Sequence, residues 1–467
     1  MAVLSLQQIA EIHAASLEVL ADVGVKIENE GVLRLLCDIG GKRNGRSNTI
    51  QLPPETVERS LGLCPARVRL ASLSGEDFCL EAGGGSVFWT GNALSFVHKK
   101  KAVPIKTREF ARFVRLCDQL EYVHGVVGPC LSDVPPPVRG LAGMRRIAEN
   151  SVKHIRPCIY DPQEIKGMIE MANVILDGEA LSRNPIFSLG YTAISPLRWS
   201  GLALAAFEES SGYGIPIMIN SEPAGGVTSP ATLAGELVMA NAEALSGVVI
   251  VQALEPGRPV IFNLGFAHIL DMQTTVMRTG SVENALLQAA GAEIAAYHGL
   301  PSASWMSTES PIADAQASLE KTLLATMHGM SHANVIWGVG NLDATKSLSF
   351  EQAVIDNDMA GAVLRAQKGI ELTDDTLAKD FIIATGHDAD YLMSEHTGRH
   401  FRDEYFFPHI AARVTRGQWK ADGGSEIIRR AGQRCRGLLE KDVRCVLSAA
   451  QKRGLARIQK KWEHLLT

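Results

Sequence analysis

Eight apolar, β-rich runs alternating with helix-length stretches restrict this chain more than any other feature. The runs are VFWTG (87–91), YVHGVVG (122–128), RPCIY (156–160), IFSLGYT (186–192), PIMINSE (216–222), VIFNLGF (260–266), SASWMST (302–308) and NVIWGVG (334–340). Amphipathic or Ala-rich stretches lie between them, among them 137–152, 162–177, 199–213, 230–253, 282–299 and 314–332. A strand that returns to the same sheet through a helix pairs in parallel, and the helices cover the sheet. Eight such units in about 255 residues have the size of a TIM (β/α)8 barrel. A doubly wound open sheet is the alternative. No G-x-G-x-x-G follows the first run, which weakens its dinucleotide-binding form.

The flanks read differently. Residues 1–82 form a helical and extended region packed on the barrel, with a helix over about 5–23, an extended VGVKIEN and a helix starting at Pro53-Pro54. The barrel occupies 83–350. Residues 351–467 are helical, over 350–369, 374–384 and, after Gly423-Gly424, 422–465.

Of the 467 residues, 46% are hydrophobic and 21% charged, which excludes disorder and a small disulfide-stapled domain. A formal charge of −5 with mixed signs leaves no footprint for nucleic acid. No window of about 18 residues lacks charged or strongly polar groups, so no membrane span is expected. The amphipathic start carries Glu11, Glu18 and Asp22, unlike a signal peptide. The eight cysteines form no CxxC pair, and none has a histidine at zinc spacing. Reduced, mostly buried thiols in a cytoplasmic protein without a metal are expected.

In a TIM barrel the chemistry sits at the C-terminal strand ends. That rule selects Thr90, Gly91, Asn92, Tyr160, Asp161, Tyr191, Thr192, Asn220, Ser221, Glu222, Asn263, Ser307, Thr308, Glu309, Gly338, Gly340 and Asn341. They are amides, hydroxyls and aromatics. H-E-x-x-H, the Walker loop and G-x-S-x-G are all missing, and no strand end offers a lysine for Schiff-base chemistry. Strand-end glycines admit a large flat ligand or simply permit tight turns. Phe88, Tyr191, Trp305 and Trp337 are either core residues or faces for a cation. His328 and His332, like His396 and His400, share a helix face at i, i+4 and suit structural bonds, a ligand carboxylate or a metal lacking an evident third ligand.

Several segments carry a resemblance: LEVLADVGVKI, LPPETVERSL, FWTGN, the 220–262 run containing PATLAGELVMANAEALSG, ADAQASLEK, SHANVIWGVGNLDATKSLSFEQAVIDNDM and EHTGRHFRDEYFFP. From residue 16 to 408 the chain resembles the trimethylamine methyltransferase family, in the branch that lacks pyrrolysine. The resemblance implies a TIM barrel whose mouth docks a separate corrinoid (cobalamin) protein, and methyl transfer from an amine to cobalt(I). Trimethylamine enzymes carry pyrrolysine just before the D-A-Q segment, where this chain has an ordinary residue, Ile312. A quaternary amine already bears the charge that makes a methyl group transferable. Glycine betaine, giving dimethylglycine, is therefore the leading substrate. Proline betaine, carnitine or choline, and a non-catalytic betaine- or corrinoid-binding barrel, are the alternatives.

Under this reading Trp305, Trp337, Phe88 and Tyr191 surround the ammonium. Asn92 and His332, with His328 as the lesser candidate, bind the carboxylate. Gly338 and Gly340, with Asn220 and Glu222, face the corrinoid. No catalytic acid or base is assigned. A homo-oligomer is the default assembly.

Overall fold

The computed structural model describes residues 2–266, 268–388 and 390–467. It is an α/β fold whose central strands all pair in parallel: β1 (Val87–Thr90), β2 (Gly125–Val127), β3 (His154–Arg156), β4 (Leu189–Thr192), β5 (Ile217–Asn220), β6 (Val260–Asn263), β7 (Ala303–Trp305) and β8 (Val335–Val339). Ladders join β1 to β2, β2 to β3, β4 to β5, β5 to β6 and β7 to β8. Single bridges, Ile155–Phe187 and Phe262–Ser302, link the β3–β4 and β6–β7 neighbourhoods, and β8 pairs back onto β1.

Alternation along the strands separates two cores. Val87, Trp89, Val127, Met218, Ile261, Trp305, Val335 and Trp337 form an inner cluster. The residues between them, such as Phe88, Ile219 and Phe262, join the larger helix-side core. Trp89 fills the interior over Gly125, where a Cβ would lie 2.7 Å from the indole. A hairpin of Arg67–Ala71 with Asp77–Glu81 adds Val68, Leu70 and Leu80 to the inner cluster. Its end is tied down at the strands' N-terminal side, where Ala71 N donates to Pro185 O at 3.0 Å and Leu73 N donates to Val152 O at 2.6 Å. The hairpin thus covers that end of the interior.

Helix Leu233–Leu254 is long and apolar enough to cross a membrane, but 78% of its apolar window is buried inside the fold. Gly247 abuts Ile219 of β5, while Asn241 donates to Ser16 Oγ at 3.0 Å on the helix Leu6–Asp22. A helix covered on both sides is apolar all round, so its composition reflects the core.

Three expectations need correction. The third strand is His154–Arg156 and not 156–160, because Pro157 has no N–H to give a ladder. The last long helix is two, Ile427–Leu439 and Ala449–Leu466, the second opened by a Ser448–Gln451 capping box. All eight cysteines are free, yet only Cys117 and Cys435 are buried, Cys79 is exposed, and the rest are half-buried.

Candidate active site

A cavity of about 430 Å³ opens at the C-terminal ends of the parallel strands. Strands supply Arg156, Asn220, Trp305 and Trp337, and the following loops supply Asn92, Cys158, Glu222 and Phe266. The aromatic wall is continuous. Phe266 and Trp305 have centroids 4.9 Å apart, and Trp305 and Trp337 5.3 Å apart. The indole nitrogens of both tryptophans are buried without a hydrogen-bond partner.

Arg156 is the dominant charge. The earlier end of β3 turns its side chain into the ring, where it is 6% exposed. One nitrogen donates to Pro157 O, and Nη2 donates to Gly190 O at 3.2 Å. Nε has no partner. The guanidinium lies 5.3 Å from the Trp337 centroid. Burial pulls its pKa down, and the only opposing influences are Cys158 and Tyr191, with no carboxylate contributing. An arginine remains protonated even so. It is a buried cation with spare donors.

Glu222 faces the cavity solvent but is surrounded by protein on its other sides. That enclosure, and secondarily Glu243, push its carboxyl up to about 7. Glu243 is itself occupied, accepting from Ser195, Leu197 N and Ser221 at 2.6–2.9 Å.

Asn92 is held through its backbone. Its carbonyl accepts from Asn341 Nδ2 at 2.8 Å, and its side chain reaches Cys158 Sγ at 3.9 Å. Gly91 makes this approach practicable, since a Cβ there would fall 1.3 Å from Asn341 Oδ1. Asn341 O in turn accepts from Lys321 Nζ at 2.9 Å, and Lys321 pairs with Asp356 at 2.6 Å, both side chains fully buried.

The cavity thus gathers Asn92, Thr192, Asn220, Glu222, Trp305, Ser307 and Trp337 from the residues expected at a site. Others lie elsewhere. Phe88 points to the helix-side core because it alternates with Val87 and Trp89. Tyr191 borders the cavity, but its ring packs 4.7 Å from Phe207 and its hydroxyl donates to Ala206 O at 3.2 Å. His328 is fully buried on helix Ala315–Met330, with neither ring nitrogen bonded and its pKa driven down to about 3 by burial. His332 is exposed, 3.4 Å from Gly84 O. Both histidines precede β8, so they sit towards its N-terminal end, away from the cavity. Gly338 and Gly340 do not line it either. A Cβ on Gly338 would point at Met306 O, 2.2 Å away, and one on Gly340 at the Phe113 ring, 3.0 Å away. Ile312 is half-buried outside the lining. The unanticipated lining residues include Arg156, Cys158, Phe266, His268 and Gln288. A charged residue inside an apolar strand run was the available signal for Arg156.

Comparison with known proteins agrees with this architecture. The family described as trimethylamine methyltransferase (MTTB) matches residues 1–464. The chain is 30% identical over 442 residues to trimethylamine methyltransferase MttB of Desulfitobacterium hafniense (strain DSM 10664 / DCB-2), covering 93% of this chain and 88% of that one. It is 27% identical over 424 residues to the glycine betaine methyltransferase of D. hafniense (strain Y51), covering 89% and 88%. The crystal structure of the Methanosarcina barkeri monomethylamine methyltransferase superposes with a TM-score of 0.54 at 13% identity, over 94% of this chain and 88% of that one, a likeness of fold.

Proposed function

The chain belongs to the trimethylamine methyltransferase family and is a methyltransferase, and from that premise we propose that it demethylates a quaternary ammonium carboxylate. Glycine betaine is the favoured substrate, and cobalt(I) of a corrinoid on a partner protein is the acceptor. The eight strands are read as a TIM (β/α)8 barrel with the reaction at its C-terminal mouth. The hairpin covers the opposite end, so substrate and acceptor share the cavity side.

The supporting observation is Arg156, a buried cation with an unpaired donor and no carboxylate of the chain against it. A ligand carboxylate would complete its hydrogen bonds. Glycine betaine, proline betaine and carnitine offer one, whereas choline and trimethylamine do not. Arg156 already lies over Trp337, which leaves the Phe266 and Trp305 faces for the ammonium. Asn92 and Asn220 supply polar positions beside it. This assignment moves the carboxylate from His328 and His332 to Arg156.

The transfer breaks one N–CH3 bond and forms one carbon–cobalt bond. Nitrogen keeps the electron pair and leaves as a neutral tertiary amine, while the methyl group's new bond uses the cobalt(I) pair. No proton moves, so the chain need only orient the methyl group and exclude water.

Incubation with cob(I)alamin, free or on a corrinoid protein, tests the reading through the appearance of methylcobalamin absorbance. Turnover is expected with glycine betaine and not with choline or trimethylamine. Turnover confined to choline or trimethylamine would remove the carboxylate requirement.

Glu222 adds a pH dependence. As pH rises through about 7 its carboxyl ionises, and the new negative charge favours the ammonium by about 1 kcal/mol, or roughly fivefold, across cavity solvent. KM for glycine betaine is therefore expected to fall from about pH 6 to about pH 8. Glu222→Gln should flatten that profile, and an unchanged profile would remove Glu222 from the binding region.

A further inference from the structure

We propose that Asp375, His396 and His400 form a divalent transition-metal site of zinc type that holds the C-terminal helical segment together, independently of methyl transfer. Among the described residues this is the one group of three metal-ligating side chains whose ligand atoms all lie within 4.8 Å of one another. His396 and His400 are one turn apart on helix Glu395–Glu404, with ring centroids 4.4 Å apart. Asp375 enters from the short helix Asp374–Leu377. His400 Nε2 is 3.0 Å from Asp375 Oδ2, and His396 Nε2 is 3.1 Å from Asp375 O, so both rings converge on one residue. Phe381 stacks on His396 at 5.4 Å and 16°, which fixes the ring plane.

Two imidazoles and a carboxylate are a zinc donor set that leaves a position for water. Arg399 competes for Asp375, with Nη2 3.2 Å from Oδ1 and Nη1 3.4 Å from Oδ2. The shorter contact is to the oxygen that His400 does not face. The surrounding pocket carries Asp374, Asp380 and Glu395 against Lys379, so its charge still favours a cation.

The segment has little apolar burial to hold it and is tied largely by contacts such as Arg365 Nη2 to Glu404 at 2.8 Å and the Phe381 ring to the Tyr391 ring at 5.5 Å between centroids. The helices Asp374–Leu377, Lys379–Thr385, Glu395–Glu404 and Arg416–Ala421 bury no side chain. Where apolar burial is missing, metal binding supplies folding free energy directly.

The test uses the full chain, stripped with chelator and desalted. Zn2+ is titrated calorimetrically into wild type, His396→Ala and His400→Ala, with Co2+ absorbance as a second reading. Wild type should bind one more Zn2+ than either variant. Zn2+ should also slow proteolysis within 370–421 in wild type alone. Binding to the eight thiols is common to all three proteins and cancels. One component of the visible ligand-field absorbance of Co2+ should be present in wild type and missing from both variants. Equal stoichiometry and affinity in the three proteins, or no saturable binding in wild type, would overturn the site.

Discussion

Arg156→Met is expected to lower kcat/KM for glycine betaine roughly 100- to 1000-fold while leaving the fold at least as stable. The loss corresponds to about 3–4 kcal/mol, the cost of truncating one partner of a buried, hydrogen-bonded charge pair. The stability expectation follows from the same geometry. Arg156 is buried without a carboxylate, so the unliganded chain carries its desolvation unopposed except by two carbonyls and the Trp337 face. Methionine is of similar length and packs well on an indole. Kinetics, calorimetric binding and thermal unfolding on one preparation separate the two effects. Arg156→Lys should recover only part of the activity, since it restores the charge without the planar fork. Full betaine affinity in Arg156→Met would place the carboxylate elsewhere. A large fall in melting temperature would mean that Arg156 serves the fold rather than the ligand.

The alternation of apolar runs and helical stretches was legible because parallel strands covered on both faces must be apolar almost throughout. The rule that C-terminal strand ends carry the site selected Asn92, Thr192, Asn220, Glu222 and Ser307, which line the cavity, and the aromatic reading added Trp305 and Trp337. It failed where position along a strand was not enough. Phe88 lies in the right strand but on the helix side, a difference of one residue in a period of two, and Tyr191 only borders the cavity because its ring packs on Phe207. The spacing of His328 and His332 predicts a shared helix face, yet the helix ends at Met330 with His332 beyond it at φ 58°, and it leads into the start of β8. Arg156 was hidden by a two-residue displacement of β3, which placed it at the beginning of a run when it stands at the end. The glycines at 338 and 340 marked a real demand on the backbone, with φ of 111° and 87°. The demand comes from Met306, Phe113 and the buried Lys321–Asp356 pair, contacts distant in sequence that no local pattern reveals.

Lys321→Met should destabilise the chain by about 3–5 kcal/mol near neutral pH, because it leaves Asp356 buried and ionised without its cation. Lys321 Nζ donates to Asp356 Oδ2 at 2.6 Å and to the carbonyls of Gly338 and Asn341 at 2.9 Å each. Asp356 also accepts from Gly340 N and Gln352 Nε2, both at 2.7 Å. Burial raises the Asp356 pKa and Lys321 opposes the rise, so removing Lys321 raises it further. A folded pKa above the unfolded value of about 3.9 means the penalty is absent below that value and grows as pH rises towards the folded one. The deficit in urea unfolding should therefore be small near pH 4 and largest near pH 8. Lys321→Met with Asp356→Asn should recover about 2 kcal/mol or more relative to the sum of the single changes. Simple additivity would mean that the two groups do not act as a pair. The single variant should also lose betaine turnover, because Asn341, whose carbonyl Lys321 holds, is the residue that fixes the Asn92 backbone at the cavity. If the double variant regains stability without activity, the pair's contribution to the site is the placement of this loop, and stability alone does not account for it.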